Sequence, residues 1–175
     1  MRPKTFIPTV QRKVATTAVG PSALRRQGAG ILGASQQFLA ALSLARVPKS
    51  SETRFRRWLD RQTDALLNAL PIDGRPWGAA RKALNLFLRD VLYNQYLSRR
   101  FRFGQIEQWL EVPLDSAVAR GLKAEAGRGA LPLWPGLKHL DHTVSDEFQK
   151  FASVHAQTLG IERVHLDMYL WLENR

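Results

Sequence analysis

The segment between Ala79 and Arg99 contains the strongest periodic pattern in the chain, and the period is that of a helix. Its apolar residues recur every three or four positions, at Leu84, Phe87, Leu88, Val91, Leu92 and Leu97. This spacing matches 3.6 residues per turn, whereas no alternating run typical of a strand reaches a useful length. The sequence therefore predicts an all-α fold.

The polar side of this predicted helix holds three side chains in one row. Lys82, Asn85 and Arg89 stand at positions i, i+3 and i+7, so a helix places them on the same side. Taken alone, a lysine in such a row is most simply an ordinary solvated helix residue. Packed into an apolar cleft near a helix start, it is instead a candidate nucleophile.

Prolines and glycines predict an N-terminal arm followed by one helical domain. Residues 1–30 contain Pro3, Pro8 and Pro21 and end in a basic, glycine-containing loop, so we expect an extended arm and a loop there. Residues 31–175 are predicted to form a single helical domain. A turn-rich break from Pro71 to Gly78 divides it into N-terminal helices at 31–76 and further helices at 77–175.

Capping residues mark the starts of the shorter predicted helices. Asp115 or Ser116 is the expected N-cap of a helix after Pro113, because Asp and Ser accept hydrogen bonds from the first free N–H groups. Ser145 is expected to cap a helix that stops before Gly160. Two more helices are predicted, a short one at 105–110 and a last one at 163–173.

The charge of the chain favours a polyanionic partner. Its 26 lysines and arginines exceed 15 acidic residues and give a net charge of +11, with an isoelectric point near 10.8. A positive field of this size attracts nucleic acid. The alternatives are a nonspecific basic surface or a protein of the membrane surface. No apolar run approaches the roughly 20 residues of a membrane span and no secretory signal is evident, so we expect a cytoplasmic protein.

The inventory of side chains argues for chemistry without a metal or cofactor. The chain has no cysteine, and its four histidines do not match the spacing of a zinc-binding HExxH helix. No glycine-rich phosphate loop of the Walker type and no GxSxG elbow are present. We therefore predict neither a metal site nor a bound cofactor.

Three motifs resemble the helix-hairpin-helix DNA glycosylase superfamily, and the archaeal 8-oxoguanine glycosylase branch most closely. The family joins a Gly-Val-Gly-x-Lys hairpin to an aspartate segment, and here Gly78, Ala80, Lys82 and Asp115 stand in those positions. The branch ends in a His-Leu-Asp-x-x-Leu-Trp helix, which the chain matches at 165–171. The matches occur in the family's order and extend over roughly residues 77–175, the hairpin, catalytic and C-terminal helices of such a fold.

The resemblance implies a fold with a basic cleft between two helical lobes and an enzyme that excises a damaged or modified base from double-stranded DNA. Lys82 and Asp115 would be catalytic, and Asp167, Trp171 and Arg89 would form the base pocket. An oxidised purine such as 8-oxoguanine is the implied substrate, and a modified cytosine of the kind phages contain is the alternative. DNA contacts are expected from Arg25, Arg26, Gln27, Arg81, Arg99 and Arg100, the first three filling the space left by the extruded base.

The chemistry of base excision is consistent with these residue types. Breaking an N-glycosidic bond builds positive charge on the sugar, which a carboxylate near C1′ stabilises. A neutral Lys82 amine could attack C1′ and form a Schiff base that permits strand cleavage; otherwise water would be the nucleophile. Simpler roles are also open: Asp115 as a plain N-cap, Asp167 as a surface acid and Trp171 as a core residue.

Two other classes of protein fit the same sequence. One is a DNA-binding helical module without catalytic activity, which would use the basic residues only for contacts to the phosphate backbone. The other is a basic helical protein that binds a protein partner.

Overall fold

The computed structural model describes residues 5–71 and 76–173, and within these ranges every regular element is helical. The α-helices are α1 (Phe6–Ala18), α2 (Ile31–Ala41), α3 (Glu52–Ala69), α4 (Trp77–Tyr93), α5 (Gln95–Phe101), α6 (Ser116–Ala126), α7 (His142–Thr158) and α8 (Leu166–Glu173). Short 3-10 turns occupy Leu44–Arg46, Phe103–Gln105, Glu107–Trp109 and Arg163–His165. The predicted all-α class is confirmed for this part of the chain.

The expected N-terminal arm is instead the helix α1. Val14 and Ala18 are buried, and Ile7 and Val10 pack against the same core. Pro8 does not prevent the helix, because the first four N–H groups have no partner within a helix. The Gln11 side chain donates from Nε2 to the carbonyls at the end of α2, 3.1 Å from Leu39 O and 2.7 Å from Leu42 O. The prolines at the N-terminus were therefore a misleading signal.

The long helix predicted at 79–99 is two helices separated at Asn94. The Asn94 side chain accepts hydrogen bonds from the backbone N–H groups of Tyr96 and Leu97, each at 3.1 Å. It thus caps α5 while its own N–H still bonds to Asp90 O at the end of α4. Apolar spacing continues through this break, so periodicity alone did not reveal it.

Capping predictions were correct at one helix and wrong at another. Asp115 caps α6, whereas α7 begins at His142 and is capped by Asp141. Ser145, the predicted cap, is buried one turn inside α7. The short helix predicted at 105–110 is a pair of 3-10 turns, and the last predicted helix opens as a 3-10 turn before α8.

The core consists of two apolar clusters, and α4 lies between them. The first cluster contains side chains of α1 to α5, and the second those of α6, α7 and α8 with the segments before them. Residues 78–88 of α4 are all buried. Because α4 and α5 pack with the N-terminal helices, the boundary between the two clusters lies near Glu111. In the ranges given above, no helix is long and apolar enough to cross a membrane.

Candidate active site

Gly78 allows the start of α4 to approach the segment before α7. A Cβ atom at this position would lie 2.5 Å from Leu137 O and 2.8 Å from the Leu140 Cβ. Glycine is therefore required here by close packing within the first turn of a helix. The predicted counterpart of a hairpin glycine is thus inside α4, and residues 72–75 before it lie outside the described part of the chain.

Lys82 and Asp115, 33 positions apart in sequence, are in direct contact. The Lys82 amine donates from Nζ to Asp115 Oδ2 at 3.1 Å and to the carbonyl of Ala23 at 2.9 Å. The other carboxylate oxygen of Asp115 accepts from the N–H groups of Ala117 and Val118, at 2.9 and 3.0 Å. Asp115 is therefore held in one orientation by a helix N-terminus and a lysine together.

The two partners differ in their access to solvent. The side chain of Asp115 is 34% exposed, whereas that of Lys82 is 8% exposed. Asp115 lines an open cavity of about 540 Å³, and Lys82 lies behind Asp115, outside the cavity wall. A ligand in the cavity would consequently meet the carboxylate first.

This cavity brings together three of the five residues predicted for catalysis and the base pocket. Asp115 of α6 and Asp167 and Trp171 of α8 all line it, and the remaining wall is mainly apolar: Ala117, Val118, Arg120, Met168 and Leu170. Trp171 is 55% exposed, so its role as a core residue is excluded. The cavity thus offers an aromatic side chain and two carboxylates that can accept hydrogen bonds from a planar ligand.

Arg89 does not line the cavity but pairs with Asp167 behind it. Its guanidinium forms ion pairs with both Asp167 and Asp90 and lies 6.0 Å from the centre of the Tyr93 ring. Burial would lower the pKa of Arg89, but the two carboxylates outweigh it and raise that pKa. Arg89 thus contacts the cavity residue Asp167, and its predicted role in the base pocket stays a prediction.

The surroundings of Asp167 make the charged form of its carboxyl group less favourable than it is in water. Burial raises its pKa above the ordinary value, and the Arg89 charge only partly offsets this effect. The negative charge of Asp115 raises the pKa of Asp167 further. Two carboxylates at one cavity favour a ligand that donates N–H groups to both.

Arg81 is a buried structural residue, so its prediction as a DNA contact was wrong. Its guanidinium forms two hydrogen bonds of 2.9 Å to Glu111 and one of 2.9 Å to Asp60. One residue along a helix is a rotation of about 100°, which separates Arg81 from Lys82, whereas Asn85, one turn further on, contacts the same Glu111 as Arg81. Burial opposes the charge on Glu111, but Arg81 outweighs it and lowers the pKa of Glu111 to about 2.

The remaining predicted DNA contacts are at the surface. Arg25 and Arg26 are exposed and Gln27 is half-buried. This loop touches the site through Ala23, whose carbonyl accepts from Lys82, and Arg26 adopts a left-handed backbone with φ of 63°. Arg99 and Arg100 are exposed on α5 and do not line the cavity.

The sequence analysis missed a hydrogen-bonded chain that supports α8. The Tyr93 hydroxyl lies 2.8 Å from His165 Nδ1, and His165 Nε2 lies 2.8 Å from Glu107 Oε1. Because a carboxylate only accepts, His165 donates from Nε2 to Glu107. His165 was quoted only as part of the terminal motif, and nothing in the sequence connects it to Tyr93.

The described residues contain no group of histidines, aspartates and glutamates suited to a metal ion. Comparisons of the chain with models of protein families, with curated proteins and with solved structures find no match.

Proposed function

We propose that the protein is a DNA N-glycosylase that accepts an extruded, modified base in the cavity between α6 and α8. The observation that supports this most is the double fixation of Asp115, by two backbone N–H groups and by Lys82, while its carboxylate stays open to the cavity. The sequence resemblance to helix-hairpin-helix glycosylases supports the same class. The helix-hairpin-helix fold and a basic cleft between its two lobes are also part of this proposal.

The proposed reaction begins with breakage of the bond between C1′ and the base nitrogen. The bonding electron pair leaves with the base, and positive charge develops on C1′ and the ring oxygen. The Asp115 carboxylate stabilises this charge, and its fixed orientation means that little reorganisation is needed during the reaction. Water then adds to C1′ and transfers a proton to Asp115. Transfer of this proton to the departed base nitrogen completes hydrolysis and restores the carboxylate.

A second route uses the Lys82 amine in place of water. Its lone pair would displace the base at C1′, and the two nitrogen protons would pass to the departing base and to the ring oxygen as the ring opens to an imine. Loss of a proton from C2′ would then break the C3′–O bond, and the phosphate would leave. In the structure, Nζ is held by Ala23 O and Asp115. The amine must therefore leave the Ala23 carbonyl and give up a proton before it attacks.

The excised base is proposed to be an oxidised purine such as 8-oxoguanine. The cavity presents acceptors from Asp115 and Asp167 and the exposed ring of Trp171, which suits a base with additional N–H donors. A modified cytosine, whose exocyclic amine also donates, is the alternative. Duplex oligonucleotides that each contain one modified base separate these substrates when the released base is identified by mass spectrometry.

The direct test is Asp115→Asn, because Asn also caps helices well and keeps α6 intact. Loss of one preorganised electrostatic group lowers rates on the order of 100-fold or more, so we expect such a loss in single-turnover base release. Asp141→Asn is the matched control, since Asp141 caps α7 but does not line the cavity. Equal turnover in both variants would remove the proposed role of Asp115.

The burial of Lys82 favours a second candidate function, a DNA-binding module without catalysis. Borohydride trapping distinguishes the possibilities: an enzyme that uses the amine forms a covalent adduct with DNA, and Lys82→Gln abolishes it. Base release without an adduct indicates the water route. If no substrate of the panel gives base release or an adduct, the result supports the DNA-binding module.

A further inference from the structure

A groove between α1 and α5 is lined by arginines and lies apart from the cavity. Its volume is about 600 Å³, and its wall consists of Ile7, Gln95, Tyr96, Arg99, Arg100 and Arg102. None of these residues lines the cavity of Asp115 and Asp167. The groove is thus a second concave surface with its own chemistry.

The groove exists because the N-terminal residues form a helix. Phe6 at the start of α1 contacts the ring of Tyr96 edge-on, with ring centres 5.2 Å apart and planes at 88°. Ile7 of the same helix forms part of the wall. At the other end, Arg102 ends α5 with a left-handed backbone, φ 54°.

Within the described part of the chain, the arginines of the groove differ from Arg81 and Arg89 in having no acidic partner. Among the described residues, no carboxylate lies within ion-pair distance of Arg99, Arg100 or Arg102, and no acidic side chain lines the groove. By contrast, Arg81 and Arg89 each have two carboxylate partners.

A fourth cation adds to this field. Burial lowers the pKa of Lys49, and the nearby charge of Arg102 lowers it further. Several like charges held together repel one another, and a bound polyanion would offset the repulsion.

We propose that this groove binds the phosphodiester backbone of nucleic acid, as a site separate from the cavity. Guanidinium groups form paired hydrogen bonds with phosphate oxygens, and three of them within four positions match a series of phosphates. Backbone binding here holds the polymer whatever its sequence. It does not depend on whether the cavity excises a base.

A nucleic acid fits the groove better than an anionic membrane does. Proteins that lie on membranes insert exposed apolar side chains beside their basic residues. The large apolar side chains exposed in the described part of the chain are Tyr93, Leu133, Val154, Met168 and Trp171, and none of them lines this groove.

The test measures binding of an undamaged, fluorescently labelled DNA duplex to the full chain over a range of salt concentrations. Each phosphate contact contributes about 0.9 to the slope of log K against log salt. We expect the triple variant R99A/R100A/R102A to lose roughly 3 units of that slope. The matched control R61A/R128A/K138A removes three exposed charges away from the groove and should keep the slope near that of the wild type.

Equal losses of slope in the two triple variants would overturn the proposal, because they would show a diffuse effect of net charge. The variant R99K/R100K/R102K retains the charges, so recovery of the slope in this variant supports phosphate binding and excludes a folding defect. Stronger charge-dependent binding to phosphatidylserine vesicles than to DNA would assign the groove to membranes and overturn the proposal. Because no damaged base is present, an inactive cavity does not affect the result.

Discussion

Two ionic networks along α4 each pair a basic residue with a carboxylate, but their surroundings differ. Arg81 pairs with Glu111 in a closed interior, where both residues are less than 10% exposed. Lys82, the next residue, pairs with Asp115, whose carboxylate opens to the cavity. The Arg81 network also contains Asp60, whose side chain is 41% exposed, but neither Arg81 nor its partners line the cavity. The Lys82 network presents a fixed charge to a ligand there. Contact with the cavity, and not the type of ion pair or solvent access alone, separates a structural site from a candidate active site.

The largest effect is expected when the buried pair of Arg81 and Glu111 is broken. Arg81→Met leaves Glu111 buried without its main partner, which should lower the free energy of unfolding by about 3–5 kcal/mol. Urea denaturation followed by circular dichroism measures the change. The double variant Arg81→Met/Glu111→Leu removes both charges and should recover most of the loss. If the single variant is as stable as the wild type, water reaches the Glu111 carboxylate and the two networks do not differ in burial.

Acid should lower the free energy of unfolding through Glu111 over a defined range of pH. The pKa of Glu111 falls from 4.5 to about 2 on folding, because Arg81 outweighs the opposing effect of burial. The unfolded chain therefore binds the proton at higher pH, and the stability contributed by Glu111 is lost as the pH falls from about 4.5 to about 2. Urea titrations between pH 6 and 2, on the order of one per pH unit, measure this loss. Glu111→Gln should flatten the profile in that window; an unchanged profile would assign the acid sensitivity to other carboxylates.

Trp171→Ala should affect the open site with little effect on the fold. Substitution of a surface residue usually changes stability by less than about 0.5 kcal/mol, and Trp171 is half exposed. Loss of base stacking typically costs about 1–3 kcal/mol, so we expect KM for modified DNA to rise by roughly 10-fold. Thermal unfolding of the variant is the control. A large drop in the melting temperature with unchanged KM would show that Trp171 contributes to stability and does not bind the base.

The smallest effect is expected at the ion pair of Arg89 and Asp167, which joins α4 to α8. Arg89→Met removes a charge that lowers the pKa of Asp167, so this pKa should rise further above its ordinary value. NMR titration of the Asp167 carboxyl carbon measures the shift. Arg89→Lys keeps the charge and should retain most of the wild-type value. An unchanged titration in Arg89→Met would show that Arg89 does not position Asp167 through its charge.

Local interactions explain which features could be predicted. The all-α class, the cap at Asp115 and the shared side of Lys82, Asn85 and Arg89 depend on residues a few positions apart. In the structure this row faces three carboxylates in turn, those of Asp115, Glu111 and Asp167. The prolines of residues 1–30 favoured an extended arm, but only Pro8 lies within α1, and it lies in the first turn, where a helix tolerates proline. Asp141 was passed over as a cap in favour of Ser145, although both are capping residue types.

The sequence by itself determined the all-α class, the cap at Asp115 and the resemblance that singled out Lys82 and Asp115. Only the tertiary structure decided that Arg81 is internal, that the Ala23 carbonyl holds Lys82, and that Arg89 supports Asp167 across 78 positions. It also created the α1–α5 groove from residues about 90 positions apart, Ile7 and Arg99 among them. Helical period and capping are properties of neighbouring residues, whereas burial and ion pairing depend on which distant segments the packed core brings together.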